Sequence, residues 1–191
     1  MSPKGFRRTV WPTPFLTWES PADDAFASVW RVDLRGEVVI DVPAAEAWAV
    51  VGERFGQISE WAAPITSSCV DGELTVGAIR TCQFSGFGPF KPGTIHERLV
   101  EFDRGAMTLA YESVEGMPSF VKSARNRWTV EPRSAASCLV RTHATLELQG
   151  PLRLLQFVVA RKLQAGGARV LDELRHQVEH GRPHPRKLAV A

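Results

Sequence analysis

The stretch GAIRTCQFSGFGPFKPGTIHERLVEFD, residues 77–103, decides how the rest of the chain reads. Residues 78–84 alternate their side chains as a strand does, and residues 94–102 do so again. Between them Ser85, Gly86, Gly88, Pro89, Pro92 and Gly93 break the pattern. A hairpin needs only about two to five connecting residues. A longer connection carrying Phe87 and Phe90 exposes apolar surface unless it covers something, so the sequence predicts a flap over a cavity at 85–93.

On the N-terminal side of this stretch, residues 31–40 (RVDLRGEVVI) read as a first strand. Pro43 then stands at a natural helix start, with Glu46 in the first turn where negative charge suits the helix dipole. Ala44, Ala47, Trp48, Val51 and Phe55 form an apolar helical face, loosened by Gly52 and Gly56. A second short helix is predicted over 57–62, before Pro64. From there the chain reads almost without helix, with strands near 65–71, 76–84, 94–102, 106–114, 120–131 and 138–148. Turn signals such as Asp71-Gly72 and Asp103-Arg104-Gly105 separate them, as an antiparallel meander requires. One long helix closes the chain, from Pro151 to about His180, with Leu155, Val159, Leu163, Val170, Leu174 and Val178 in a stripe. Leu154, Phe157 and Val158 make its first half apolar on nearly all sides, which predicts heavy burial there. Gly166-Gly167 in mid-helix costs about 1 kcal/mol per glycine relative to alanine, so a close approach or a kink over a ligand is expected. The fold class is α+β: a curved antiparallel sheet of seven strands around one long helix, with a cavity where the two do not meet flush.

Bulk composition excludes several function classes. A net charge of +2 is too small to argue for nucleic acid. Cys69, Cys82 and Cys138 are odd in number and show no C-x-x-C spacing, which argues against a disulfide framework and a zinc site. No run of about 18 apolar residues predicts a membrane span, and Pro12, Pro14 and Glu19 interrupt any signal-peptide core, so a cytoplasmic location is expected. Residues 1–30 form an aromatic, proline-rich arm with Trp11, Phe15, Trp18, Phe26 and Trp30. Its rings are expected to lie on the domain, or on a partner subunit in a homodimer. The domain itself spans 31–181, and 182–191 reads as a basic, solvated tail with Arg182, Arg186 and Lys187.

Val42-Pro43, Trp48, Phe55, Trp61, Pro64, Cys69, Gly77, Arg80, Ser85-Gly86, Glu97-Arg98-Leu99, Asp103, Tyr111 and Leu171-x-x-Leu174-Arg175 follow an order and spacing that carry a family likeness. Over about residues 31–180 the chain resembles the START/Bet v 1-like (SRPBCC) superfamily of polyketide cyclase/dehydrases and lipid-transfer proteins, and within it the abscisic-acid-receptor-like bacterial branch. The resemblance implies a helix-grip fold and gives Ser85-Gly86-Phe87-Gly88-Pro89 the place of the gate over the pocket. The receptors' latch tripeptide has no counterpart, since Met117-Pro118-Ser119-Phe120 occupies that turn. Their pocket lysine falls near Ala63, so abscisic acid is not the expected ligand.

With the strands registered as in that family, alternation turns Ile79, Thr81 and Gln83 inward and Arg80 and Cys82 outward. Ile95, Glu97 and Leu99 point inward on the next strand, then Tyr111 and Ser113, then Val140, Thr142, Ala144 and Leu146 on the last. Between 121 and 128 two phases compete, one through Ser123 and one through Asn126 and Trp128, and a bulge would reconcile them. Trp61 and Phe87, with Val159 and Leu163 from the helix, complete the expected ligand-binding set. Glu97 is the prominent carboxylate; buried without a cation it would serve as general acid or base, with Tyr111 and Gln83 orienting a carbonyl. It could equally hold ordered water or pair with Arg125 or Arg127. His176, His180 and His184 fall at four-residue spacing, but the third lies beyond Gly181 and Pro183, so no metal and no other cofactor is expected. Two functions remain open at this point: a module binding a small hydrophobic or aromatic molecule, and a cofactor-independent cyclase or dehydratase-type lyase using Glu97. A lipid carrier is a third, without stable insertion into a membrane.

Overall fold

The computed structural model describes residues 29–86, 91–150 and 156–189. The arm at 1–28, Phe87 with the rest of the loop tip, and the start of the last helix with Leu154 and Leu155 therefore lie outside the described residues. The elements are β1 (Trp30–Ile40), α1 (Ala44–Trp48), β2 (Ile65–Val70), β3 (Ile79–Phe84), β4 (Gly93–Asp103), β5 (Thr108–Glu115), β6 (Val121–Ser134), β7 (Ser137–Leu148), α2 (Gln156–His180) and α3 (Pro185–Leu188). The strands make one antiparallel sheet in the order β1-β7-β6-β5-β4-β3-β2. The seven-stranded curved sheet, the short helical segments after β1 and the long C-terminal helix make a helix-grip fold.

After α1 the helix does not continue regularly. It widens to a π turn at Ala49–Glu53 and then tightens to a 3-10 segment at Phe55–Glu60. Gly52 explains the irregularity: a Cβ there would lie 2.4 Å from the Trp48 indole, so only glycine lets that ring lie across the turn. The indole is anchored by its N–H to Glu53 Oε1 at 3.1 Å and stacks on Phe102 at 5.7 Å.

Among the described residues, two apolar clusters form the interior. The larger joins Trp48, Phe55, Trp61, Leu99, Leu109, Trp128, Val140, Leu171 and Leu174. The smaller joins Trp30, Val32, Leu34, Val121, Leu146, Leu148, Val159 and Ala160 at the other end of β1, β7 and α2. On β1 and β7 the inward residues recur with period two, as expected for a sheet with one solvated face.

Two expectations are corrected here. Phe157 and Val158 on α2 are not buried; they are 70% and 53% exposed, while Val159 and Ala160 face the interior. The basic tail is not simply solvated. His184 caps α3 by accepting from the Arg186 N–H, and Lys187 is buried with its ammonium on the Ile65 carbonyl.

Candidate functional site

The cavity lies between the sheet and α2, where the two clusters fail to meet, and has a volume of about 190 Å³. Leu34, Ala62, Ile65, Ala144, Leu163 and Leu171 give it apolar walls. Gly167 also lines it, so one of the two mid-helix glycines leaves room that a side chain would take. At one end stand four polar residues: Arg80, Glu97, Tyr111 and Asn126. A smaller void of about 10 Å³, room for one water, adjoins this end behind Phe55, Trp61 and Leu109.

Strand register builds the polar end. In β3 and β4, Arg80 stands opposite Glu97 and Cys82 opposite Ile95. Residues directly opposite in an antiparallel pair share a face, so an inward Glu97 requires an inward Arg80. The predicted phase of β3 is therefore reversed. Arg80 is 3% exposed and Cys82 is buried, whereas Thr81 bonds His96 Nδ1 on the other face and Gln83 bonds Thr94, exposed. Ile79 shares their face and does not reach the cavity.

All three nitrogens of the Arg80 guanidinium are engaged. Nε and Nη2 donate to Glu97 Oε2 at 2.8 and 2.6 Å, and Nη1 donates to the Phe55 carbonyl at 2.9 Å. Its plane lies 3.8 Å from the Phe55 ring centroid and 4.7 Å from that of Tyr111. Burial opposes its charge, but the Glu97 carboxylate together with Tyr111 and Cys82 outweighs burial and lifts its pKa above the ordinary arginine value. Burial pushes the Cys82 thiol up to about 12, Glu97 adding to the shift and Arg80 opposing it. Glu97 is thus not a carboxylate without a cation. Its partner is Arg80, while Arg125 pairs with Glu112 and Arg127 with Glu101.

Tyr111 faces the same space from β5. Burial, then the Glu97 charge, raises its pKa, so it remains a phenol. Asn126 Nδ2 donates to its oxygen at 3.0 Å. A register shift between Val121 and Ser123 supplies the bulge that puts Ala124, Asn126 and Trp128 on the inner face. Ser123 is consequently exposed and leaves the expected set.

Of the other sequence-selected residues, Thr142 and Leu163 line the cavity. Trp61 packs edge-on against Trp128 beside the small void, and Leu99 and Val159 are filled core positions. Ile95 and Ser113 lie on the inner face by register, opposite Cys82 and Glu97, without lining the cavity. Alternation missed Arg80, which a polar-out rule sends to solvent; the signal that finds it is its place opposite Glu97. The three histidines do meet, His176 stacking on His180 at 4.4 Å and edge-on to His184 at 5.1 Å. Among the described residues, however, no group of three His, Cys, Asp or Glu side chains is arranged to hold a metal ion.

A sheet curled around a long helix, with an apolar cavity polar at one end, defines a protein of the helix-grip class. The chain belongs to the polyketide cyclase/dehydrase and lipid transport family, whose model matches residues 31–179. Among solved structures it is similar to TTHA0849 from Thermus thermophilus, at 20% identity and a TM-score of 0.64 over 76% of this chain and 96% of that one. Norcoclaurine synthase from Thalictrum flavum aligns at 14% identity and a TM-score of 0.60, over 86% and 99%. The di-domain ARO/CYC protein BexL aligns at 22% identity and a TM-score of 0.60, over 77% of this chain and 46% of that one. At these identities the likeness is one of fold. No curated relative matches the chain.

Proposed function

We propose that this protein binds one small hydrophobic or aromatic molecule in the cavity between the sheet and α2. The observation that carries this is the cavity itself: about 190 Å³ with apolar walls and hydrogen-bonding groups gathered at one end. That combination holds a ligand by burial and orients it by a few polar contacts. The volume is below the roughly 300–1,000 Å³ of pockets for drug-sized ligands, which suits a molecule of one or two rings. The test is calorimetric titration with neutral bicyclic aromatics, naphthalene and 2-methoxynaphthalene. Saturable binding of one equivalent, lost in Ala144→Phe, is the expected result. Absence of binding, or binding untouched by the blocking side chain, would refute the cavity as the site.

A catalytic reading rests on one further observation, that Glu97 and Tyr111 line the same cavity. In it the protein is a cyclase or dehydratase-type lyase without a cofactor, and Glu97 moves the proton. The Arg80 contact weighs against this, because the shuttle would have to exchange protons on a carboxylate already taken at Oε2. Glu97→Gln separates the two: turnover of any substrate found should vanish under the catalytic reading, whereas a binding module keeps its affinity within a few fold.

A further inference from the structure

Buried polar atoms are almost always satisfied, and leaving one unpaired costs about 1–3 kcal/mol. Asn126 Oδ1 is buried and has no hydrogen-bond partner among the described residues. Its Nδ2 is committed to the Tyr111 oxygen. That oxygen accepts from Asn126, so the phenol proton remains to be given. No described side chain or carbonyl accepts it. The polar end therefore offers, side by side, an uncharged acceptor and a donor, both without a protein partner among the described residues, on residues that line the cavity.

Arg80 and Glu97 set the charge that this end tolerates. Their opposite charges cancel, and the guanidinium is held at Nε, Nη1 and Nη2 by Glu97 and Phe55. An anionic ligand would have to take Arg80 from Glu97 and then lie beside the released carboxylate. A cation would meet a carboxylate already neutralised.

We infer that the cavity selects a neutral ligand through a single hydroxyl group, which accepts from the Tyr111 O–H and donates to Asn126 Oδ1. Of a hydroxyl, an ether, a ketone and a carboxylate, only the hydroxyl does both. An ether or ketone can take the phenol proton but leaves Asn126 Oδ1 unpaired; a carboxylate adds a charge as well. A site built around a hydroxyl rejects analogues lacking it more strongly than an apolar pocket discriminates size. This inference rests on the cavity being the binding site, and the experiment keeps the two apart.

Four probes with one ring system are titrated calorimetrically: 2-naphthol, 2-methoxynaphthalene, 2-acetylnaphthalene and 2-naphthoate. The expected order puts 2-naphthol at least tenfold tighter than the ether and the ketone, with the carboxylate weakest. In Asn126→Leu and in Tyr111→Phe, each first checked for cooperative unfolding, that preference should fall to within about threefold while the ether still binds. If the ether or the ketone binds as tightly as the alcohol, the hydroxyl inference is overturned and the cavity reading stands. A preference that survives in both variants overturns it too, by placing recognition elsewhere. If none of the four binds, the cavity reading and the inference fall together.

Discussion

Arg80 cannot lose Glu97 without leaving a guanidinium buried and unpaired, and the converse holds for the carboxylate. Removing one member of such a pair costs about 3–5 kcal/mol, while removing both for apolar groups costs far less. Arg80→Met is therefore expected to lower the unfolding free energy by about that amount, and Arg80→Met with Glu97→Leu to recover much of it. Urea denaturation of the two singles and the double measures this; strict additivity would show that the pair is not coupled. The cysteines give a second prediction at this scale. Cys69 is exposed, whereas Cys82 and Cys138 are buried with thiols pushed up to about 12 and about 11, chiefly by burial. Ellman's reagent on the folded protein at pH 8 should therefore titrate one thiol quickly and the other two only in denaturant. Rapid reaction of all three would contradict the burial.

At the scale of elements, α3 ties the chain's end to one wall of the cavity. Glu173 on α2 is 1% exposed; Oε2 accepts from the Ala63 N–H and Oε1 from Arg186 Nε. Arg186 Nη2 reaches Asp172 Oδ2 at 2.6 Å, and Lys187 holds the Ile65 carbonyl. Ala62, Pro64 and Ile65, between these ties, line the cavity. Arg186→Ala should cost about 2 kcal/mol, less than a fully buried pair because Arg186 is 38% exposed. It should also loosen amide protection at 62–65, readable by hydrogen exchange; unchanged protection there would disprove the tie.

The same junction predicts a pH dependence. Burial, then the neighbouring His180, His184 and Arg182, lowers the His176 pKa from its ordinary 6.5, with Asp172 opposing. The unfolded chain then binds more protons than the folded one, so stability falls as pH drops below about 6.5. The Asp172 pKa is lowered as well, by its own neighbours. Burial opposes its charge, but Arg186, Arg175 and His184 hold its pKa below 3.8, so its contribution is lost only at still lower pH. The melting temperature should thus decline between pH 7.5 and 5, and less steeply in His176→Gln. An equal slope in the variant would remove His176 as the cause.

For the whole molecule, the cavity is the space left because two apolar clusters, one under each end of the sheet, are bridged by a single helix. Filling that space should separate stability from binding. Ala144→Leu adds apolar volume inside an existing void, so it is expected to leave the melting temperature within a few degrees while lowering affinity for naphthalene at least tenfold. A variant that binds as the parent does would show that the ligand lies elsewhere.

The sequence by itself determined the elements. Period-two alternation and turn chemistry placed all seven strands to within about three residues at each end. The faces of β7 were also legible, because its apolar residues outnumber exceptions and leave one consistent phase, whereas in residues 121–128 two phases competed and the register shift between Val121 and Ser123 decides between them. Val140, Thr142, Ala144 and Leu146 on β7 are such a run, and Asn126 follows from the β6 bulge. What only the tertiary structure decided is which face of β3 turns inward. Alternation yields two faces without saying which is inner, and in IRTCQF both carry polar residues. Arg80 is buried because Glu97 lies opposite it across the ladder and Phe55, 25 residues earlier, covers it. The α3 tie is likewise beyond local reading, since Lys187 and Ile65 are 122 residues apart. Periodicity is a property of neighbours along the chain, whereas a buried charge is chosen by a partner that only folding brings near.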